Sequence, residues 1–300
     1  MQQNAPLISV VMTSYNHERF ISEAIESVLN QTFPNFELII VDDSSTDRSK
    51  EIIKQCQQKD SRVKTIFHPS NKGISTTIND GFSAARGRFV AYTNSDDLWT
   101  PEKLEKQICI LQQNPDLIVW SDASVIDANG NETGQLFTQM QEAIQRQKSG
   151  FILRELIRSN FICGQSTIFE AKITRQIKFD PRITYSNDYK FMIDVARNHH
   201  FYFIPEPLVK YRIHGDNCIL RDKEGWERDH FIISKYAIKK YGSEIPNDFK
   251  AKLYRKIGKY IFNRGHRRIG RKCILQAAIR NPLKTACLKY YVRSFFRDTL

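Results

Sequence analysis

Along the first 113 residues of the chain, segments with the hydrophobic pattern of strands alternate with segments that have the pattern of helices. Short apolar runs rich in β-branched residues, which are typical of buried strands, cover residues 7–13, 36–41, 63–67 and 89–93. Between them, apolar residues recur at the spacing of amphipathic helices over residues 20–29, 48–57, 74–85 and 102–113. Strand and helix in alternation predict right-handed βαβ units, and therefore an α/β domain whose mostly parallel central sheet is flanked by helices.

The pattern becomes less regular after residue 113. It predicts a strand at 117–121, a hairpin turn at 127–131 around an Asn-Gly pair, a strand at 166–169, and a helix from Tyr189 onward. The runs 201–204 and 208–213 predict edge strands, and from Trp226 to the end the spacing is helical. We therefore expect an α/β domain over residues 1–230 and a helical extension over residues 231–300.

Polar side chains follow three of the predicted parallel strands. Thr13-Ser14-Tyr15 follows the first strand, Asp42-Asp43 the second, and Asn94-Ser95-Asp96-Asp97 the fourth. The carboxyl ends of parallel strands meet at one edge of a sheet, where ligands of such folds bind. We therefore expect these three groups to form one site.

Asp96 and Asp97 are informative, because an unpaired charge at the end of a buried strand is costly. The residues alone leave three interpretations open. The carboxylates could cap the following helix, be solvated loop acids, or bind a divalent cation that also holds a diphosphate.

Charge and composition narrow the classes of protein. The 300 residues carry a formal net charge of +12, and the excess lies in the tail: residues 250–300 hold fifteen Lys or Arg and one acid, whereas residues 1–249 have a balance of −2. Six cysteines without a CxxC pair argue against a zinc cluster or a disulfide framework and favour a reduced compartment. No glycine-rich turn follows the first strand, which argues against a nucleotide-dependent dehydrogenase.

The basic tail has three interpretations. Its cations interleave with aromatic and aliphatic residues such as Tyr260 and Phe262, a mixture that favours helices lying on an anionic membrane surface. A nucleic-acid-binding surface is the second interpretation, although nucleic acid is not the expected partner. A helical cap with a solvated basic face is the third and plainest. Neither a signal peptide nor an apolar run of about 18 residues is recognised. These features predict a cytoplasmic protein, peripheral on the inner face of the cell membrane.

Three blocks of sequence resemble the family 2 glycosyltransferases, which have the GT-A fold. The blocks are residues 8–16, 38–47 and 94–101, with weaker similarity at 71–73, 187–188 and 214–217. They occur in the order of the family and span residues 7–217, whereas the tail beyond residue 230 matches nothing diagnostic. The resemblance implies an inverting transfer of a sugar from a nucleotide-diphosphate donor to a hydroxyl of a saccharide or lipid-linked saccharide, in cell-surface polysaccharide synthesis. It favours a UDP-sugar as the donor.

The resemblance also implies roles for particular residues. Asp188 takes the place of the catalytic base, and Asp96 the place of the carboxylate that holds Mn²⁺ or Mg²⁺ on the diphosphate. His214 takes the place of a further metal or pyrophosphate contact, and a structural hydrogen-bonding role is its alternative. Contacts to the nucleotide-sugar are expected from Thr13, Tyr15, Asp42, Asp43, Asn71, Asn94 and Ser95.

Two positions depart from the family pattern. Asn94 stands where the metal-binding motif has its first acid, and Asn187 stands where an acid precedes the base. Both carboxylates that the chemistry needs most, at positions 96 and 188, are kept. A catalytically impaired nucleotide-sugar-binding or scaffold protein of the same fold is the alternative function.

Overall fold

The computed structural model describes residues 5–215, 217, 222–281 and 285–296. The chain divides into two units, of which the first comprises Met1–Leu156, Asn160–Pro181 and Asn187–Asn217. The second comprises Ile157–Ser159, Arg182–Ser186 and Cys218–Leu300. The predicted domain boundary after residue 230 falls inside the helix Lys223–Tyr241. The division of the chain into two domains at that residue stays a prediction.

Four parallel strands joined through helices make up one half of the sheet in the first unit. The strands are β1 (Ile8–Ser14), β2 (Phe36–Asp42), β3 (Val63–Phe67) and β4 (Phe89–Asn94), and the helices are α1 (Ile21–Leu29), α2 (Ser49–Lys59) and α3 (Ile74–Ala84). The strand order is β3-β2-β1-β4. All residues of β1 and β2 are buried, as expected for parallel strands covered on both faces.

The chain up to residue 212 completes this sheet. The elements are β5 (Leu98–Trp99), α4 (Lys103–Gln113), β6 (Ile118–Ile126), β7 (Glu132–Leu136), α5 (Phe137–Met140), α6 (Leu153–Arg158), β8 (Ile168–Glu170), α7 (Lys172–Gln176), α8 (Asn187–Val195) and β9 (Phe201–Arg212). Strand order continues β4-β8-β6-β9-β5, with β7 beside β6. Strand β8 is antiparallel to both neighbours, whereas β9 runs parallel to β6. The predicted α/β class, with a mostly parallel sheet flanked by helices, is confirmed.

The prediction of two edge strands at 201–204 and 208–213 is wrong. These residues form the single strand β9, which lies between β6 and β5. Pro205 and Pro207 lie between the two predicted runs, and proline cannot donate to a ladder. The register with β6 shifts on either side of Asp122, which pairs with Pro207, and this irregularity accommodates the prolines.

The structure also tests the turn predicted at residues 127–131 and the strand predicted at residues 166–169. The turn at 127–131 is confirmed: β6 and β7 form an antiparallel hairpin, and Gly130 has the positive φ of 87° that favours glycine. The strand predicted at 166–169 begins later, at Ile168, because Gly164–Ser166 forms a short 3₁₀ turn.

The second unit is helical, as predicted. Its helices are α9 (Lys223–Tyr241), α10 (Asn247–Asn263), α11 (Arg267–Arg280) and α12 (Thr285–Arg293). Helices α10 and α11 approach closely at two glycines, since a Cβ on Gly258 would lie 2.9 Å from the carbonyl oxygen of Gly270. Among the described residues, every helix is too short or too polar to span a bilayer.

Candidate active site

The polar groups that follow the parallel strands lie at one edge of the sheet, as the sequence predicts. In the strand register, Ser14 on β1 is the partner of Asp42 on β2, and Thr13 is the partner of Asn94 on β4. The Thr13 hydroxyl donates to the Asn94 side-chain oxygen at 3.1 Å. Tyr15, one residue beyond β1, is 46% exposed and presents its ring to solvent.

Asp42 is fully buried and holds two strand ends together. Its carboxylate accepts hydrogen bonds from the Ser14 hydroxyl at 3.1 Å and from the Ser45 hydroxyl and backbone N–H at 2.5 and 2.9 Å. These bonds satisfy both oxygens from within the protein. The predicted contact of Asp42 with the nucleotide stays a prediction.

Asp43 organises the loop that contains Asn71. Its carboxylate accepts the backbone N–H groups of Lys72 and Gly73, both at 2.8 Å, and lies 2.7 Å from Nδ1 of His68. His68 is buried, and its other ring nitrogen lies 3.0 Å from Asp80. The side-chain oxygen of Asn71 accepts from Gly73 N–H at 3.2 Å. Asp43, which follows β2, therefore holds the loop after β3 that carries Asn71, so two residues predicted to contact the donor lie close together.

Asp96 lies between two imidazoles. Its Oδ2 is 3.1 Å from Nε2 of His214, and ligand atoms of His17, Asp96 and His214 all lie within 4.8 Å of one another. Burial alone would raise the pKa of Asp96, but the hydrogen bond from His214 and the neighbouring charges of both imidazoles outweigh it and hold that pKa below its usual value. The surroundings favour the anionic carboxylate.

This cluster has the composition of a divalent-metal site. The second oxygen of Asp96, Oδ1, is buried and has no hydrogen-bond partner within the described part of the chain. An orphaned carboxylate oxygen is costly unless a ligand meets it. Carboxylate oxygen and imidazole nitrogen are both ligands of divalent cations in proteins. The residues present therefore fit Mn²⁺ or Mg²⁺.

The capping interpretation of Asp96 and Asp97 is wrong, because α4 begins at Lys103 with Glu102 as its N-cap. Asp97 is instead buried, and its oxygens accept the Arg212 backbone N–H at 2.9 Å and the Gln165 amide at 3.0 Å. Burial and the adjacent charge of Asp96 raise the pKa of Asp97 well above its usual value. The pKa is thus lowered at Asp96 and raised at Asp97, although the two carboxylates are neighbours.

Arg212, at the end of β9, connects the acidic motif to the first helix. The residue is 1% exposed, and its Nε donates to the Asp96 carbonyl oxygen at 2.8 Å. Its guanidinium also donates to Glu23 of α1 at 2.6 Å and lies 5.1 Å from the ring centre of Phe20. Sequence reasoning missed Arg212. The feature that could have indicated it is a charged residue within a predicted strand, two residues before His214.

Asp188 lies in the first turn of α8 and is partly buried. Its carboxylate accepts the Tyr189 backbone N–H at 2.6 Å and also bonds to the Asn160 side chain and the Gly164 backbone. Burial raises the pKa of Asp188 to about 6, and these hydrogen bonds limit the rise. A carboxylate with this pKa is ionised at neutral pH and is a stronger proton acceptor than an ordinary aspartate.

Gly164 is required where it stands beside Asp188. A Cβ at this position would lie 1.8 Å from the Tyr92 hydroxyl oxygen and 3.1 Å from the Asp188 Cβ. The Tyr92 hydroxyl is itself buried and has no hydrogen-bond partner among the described residues. Sequence reasoning gave no role to Gly164 or Tyr92, because nothing in their local pattern indicates this contact.

Comparison with known proteins identifies the family of the chain. The model for "Glycosyl transferase family 2" matches residues 9–177, more than half of the sequence. The chain belongs to glycosyltransferase family 2. The family is the one predicted from the three sequence blocks.

Relatives within glycosyltransferase family 2 come from distant organisms. An uncharacterised glycosyltransferase of Methanocaldococcus jannaschii is 34% identical over 228 residues, which cover 74% of this chain and 77% of the relative. TuaG of Bacillus subtilis, which its description assigns to teichuronic acid biosynthesis, is 28% identical over 79% of this chain and 94% of its own.

Solved structures confirm the GT-A fold of this family 2 member. S. aureus TarS, crystallised with UDP-GlcNAc, has a TM-score of 0.63 at 18% identity and covers 85% of this chain and 71% of its own. The mannosyltransferase PcManGT of Pyrobaculum calidifontis, in complex with GDP-Man and Mn²⁺, has a TM-score of 0.61 at 16% identity, with 95% and 76% coverage. At these identities the likeness establishes the fold alone.

Proposed function

We propose that this family 2 glycosyltransferase is an inverting, metal-dependent enzyme that transfers a sugar from a UDP-sugar to a hydroxyl of a saccharide or lipid-linked saccharide. The observation that carries the proposal is the buried Asp96 carboxylate, which has one oxygen against His214 and the other without a hydrogen-bond partner among the described residues. The Mn²⁺ complex of PcManGT and the UDP and UDP-GlcNAc complexes of TarS support it by analogy.

The donor end of the site is built from the strand-end residues. In the proposal, the exposed ring of Tyr15 stacks on the nucleobase, and Asp43, together with the loop it holds, contacts the uracil or ribose. Thr13, Asn94 and Ser95 line the floor of this site, while Asp96 and His214 hold the cation. When bound, Mn²⁺ or Mg²⁺ supplies positive charge that stabilises the departing diphosphate.

The acceptor end depends on Asp188. Its carboxylate takes the proton from the acceptor hydroxyl as the hydroxyl oxygen bonds to the anomeric carbon of the sugar. The bond from that carbon to the diphosphate breaks in the same step, so the nucleoside diphosphate leaves with the electron pair. Attack from the side opposite the leaving group inverts the anomeric configuration. The pKa of about 6 keeps Asp188 ionised at neutral pH and basic enough to accept the proton.

A cell-surface polysaccharide is the proposed destination of the sugar. TuaG, a relative over most of its length, is described as acting in teichuronic acid biosynthesis. The proposal places this enzyme in the same broad class of pathway, with the work done in the cytoplasm where nucleotide-sugar donors are available.

A donor screen tests the proposed function. The full-length protein is heated with UDP-, GDP-, ADP-, CMP- and dTDP-sugars in the presence of Mn²⁺ or excess chelator, and its melting temperature is followed. A ligand that binds only the folded state raises this temperature. We expect a UDP-sugar to give the largest rise, and only with metal. Stabilisation by no nucleotide-sugar, or by all of them equally in chelator, would contradict the proposal.

Release of nucleotide from the donor separates an enzyme from a catalytically impaired binding protein. Asn94 and Asn187 stand where the family has acids, and this is the observation that favours the alternative. Hydrolysis or transfer of sugar that requires Asp188 establishes catalysis. Donor binding without any release of nucleoside diphosphate over days supports the binding or scaffold function.

The second unit is proposed to dock on an anionic membrane. Its helices α11 and α12, and the turn that follows α12, expose large apolar side chains among cations. On the helices these are Ile269, Ile279, Leu288 and Val292, and in the turn Phe295 and Phe296. Phe296 is 83% exposed, and Arg271 lies 4.4 Å from the ring centre of Phe295. Basic residues near an anionic bilayer each contribute about 1 kcal/mol, which salt weakens.

Co-sedimentation with vesicles tests this docking in the full chain. We expect binding to phosphatidylcholine vesicles that contain phosphatidylglycerol, loss of binding at high salt, and several-fold weaker binding after Phe295→Ser with Phe296→Ser. Tyr202→Ser, at an exposed aromatic residue of the first unit, is the matched control. Equal binding by both variants, or binding indifferent to anionic lipid, would leave the helices as a structural cap.

A further inference from the structure

His17 is held in place at the start of the loop between β1 and α1. Its backbone N–H donates to the Ser49 hydroxyl at 3.1 Å, and its Nδ1 lies 2.8 Å from the hydroxyl oxygen of Ser95, which is fully buried. Its ring also meets the ring of His214 edge-on, with 5.8 Å between centroids. The backbone of His17 is therefore held by the first residue of α2, and its ring by the residue that follows β4.

The hydrogen bond to Ser95 has the form expected beside a metal. Metal-binding histidines usually use one ring nitrogen for the ion and the other for a hydrogen bond that fixes the tautomer and the orientation of the ring. In His17 the bond to Ser95 occupies Nδ1, which leaves Nε2 as the nitrogen that can bind an ion. Ser95 lies directly beside Asp96, so the same turn positions both ligands.

Ligand atoms of His17, Asp96 and His214 are close enough to share one ion. They lie within 4.8 Å of one another, and the Asp96–His214 pair is already at 3.1 Å. Two atoms bound to the same ion at about 2.1 Å stand no more than about 4.2 Å apart, so small side-chain movements suffice. Oδ1 of Asp96, on a residue only 8% exposed, has no hydrogen-bond partner in the described part of the chain, and this is an independent sign of a ligand.

We propose that His17 is a third protein ligand of the metal held by Asp96 and His214, and that the two imidazoles make this site select Mn²⁺ or a later transition metal over Mg²⁺. This inference rests on the metal dependence of the proposed function and goes beyond it, by adding a ligand from the first loop. Imidazole nitrogen favours transition metals, whereas Mg²⁺ favours oxygen ligands and retains its water. The loop that carries Tyr15 is thereby tied to the ion.

Direct metal binding tests the proposal without any turnover. The full-length protein is titrated with Mn²⁺ in the absence of nucleotide, and free Mn²⁺ is measured by its electron paramagnetic resonance signal; Mg²⁺ affinity is obtained by competition. We expect wild-type protein to bind Mn²⁺ at least ten-fold more tightly than Mg²⁺. His17→Ala should weaken Mn²⁺ binding on the order of 10-fold or more, and Mg²⁺ binding by less, so the preference shrinks.

Two further variants separate ligation from folding. His17→Asn places an amide where Nδ1 lies and keeps the contact with Ser95, but lacks an atom at the position of Nε2; it should behave like His17→Ala. His17→Gln reaches the position of Nε2 with an oxygen or nitrogen, and should bind more tightly than His17→Asn. His200→Gln, at an exposed histidine of the same unit, should match wild type.

The outcomes distinguish this inference from the proposed function. Unchanged Mn²⁺ affinity in folded His17→Ala and His17→Asn, together with loss of binding in Asp96→Asn, would overturn the role of His17 and leave the Asp96 metal site intact. A wild-type protein that binds Mn²⁺ and Mg²⁺ equally would overturn the selectivity. Failure of wild type to bind either ion, even with UDP present, would remove the metal from the proposed function itself.

Discussion

Asp96 and Asp188 are both aspartates of the first unit, yet their surroundings act on them in opposite directions. Around Asp96, two imidazoles and a hydrogen bond from His214 overcome the effect of burial and lower the pKa. Around Asp188, burial is the largest effect, and hydrogen bonds from backbone and amide groups only limit it, so the pKa is raised to about 6. The same side chain is thus prepared for two kinds of chemistry.

The difference lies in the type of donor that faces each carboxylate. Imidazole nitrogens are ligands of divalent metal ions as well as hydrogen-bond partners of carboxylates, so the Asp96 pocket is suited to hold a cation. The backbone N–H groups and the amide that face Asp188 carry no charge and are not ligands of metal ions, so Asp188 keeps neutral hydrogen-bond donors around it. A group that stabilises a leaving diphosphate should remain charged throughout, whereas a base must gain and lose a proton.

The largest expected effect comes from breaking the Asp96 pocket. Asp96→Ala removes the carboxylate that holds the cation, and turnover of a UDP-sugar should fall on the order of 10³-fold or more, because metal contributes several kcal/mol to such reactions. Donor affinity should fall with it. Asp116→Ala, at a largely exposed acid of the same unit, is the control. Full activity of wild-type enzyme in excess chelator would contradict the prediction.

Asp188→Asn should give a smaller and different loss. Removing the base should lower turnover on the order of 10²-fold, the usual size of a general-base contribution, while donor affinity stays within a few-fold of wild type. Single-turnover sugar transfer and donor titration measure the two quantities separately. If donor binding collapses and turnover per bound donor survives, Asp188 belongs to the donor site and the contrast with Asp96 disappears.

Sequence reasoning reached this contrast only in part. The blocks around Asp96 and Asp188 carry a local pattern, in which an acid follows a buried run or begins a helix, and the structure retains both acids in those settings. The first four strands were predictable because buried parallel strands appear as apolar runs whose polar ends stand out.

The partners of these acids were not predictable from local pattern. His17 and Arg212 reach Asp96 from sequence distances of 79 and 116 residues, and only the pairing of β1 with β4 and the placement of β9 bring them there. Strand β9 itself was missed as a single element: its two predicted runs lie on either side of Pro205 and Pro207, which the shifted register accommodates. Gly164 looks like any loop glycine until the Tyr92 hydroxyl is placed against it.

Gly164→Ala tests whether the Asp188 pocket depends on this close approach. The added Cβ would meet the Tyr92 hydroxyl, so the protein should lose about 1–3 kcal/mol of unfolding free energy, as other overpacked interiors do. Urea denaturation measures the loss. Gly215→Ala, where a Cβ would have no atom of the described residues within 4 Å, should cost less.

A second substitution sharpens the Gly164 experiment. The Tyr92 hydroxyl has no described hydrogen-bond partner, so Tyr92→Phe alone should be nearly neutral. Combined with Gly164→Ala, it should restore part of the lost stability, because the closest clashing atom is gone. Strict additivity of the two changes would show that the strain lies elsewhere.

The smallest expected effect is the pH dependence that separates the two carboxylates. Asp188 must be ionised to accept a proton, and burial raises its pKa to about 6, so the turnover number at saturating donor and metal should fall as pH drops through that value. The fall should be about ten-fold at pH 5 relative to the plateau, a difference of roughly 1.4 kcal/mol in activation free energy. The stability of the folded protein should change over the same pH range in the opposite direction. The folded protein holds the Asp188 proton between the ordinary aspartate pKa of 3.8 and about 6, where the unfolded chain has lost it. This group therefore contributes stability below pH 4 that is lost as pH rises to 6, and Asp188→Asn should remove that contribution. An acid limb that persists unchanged in the residual activity of Asp188→Asn would assign it to another group.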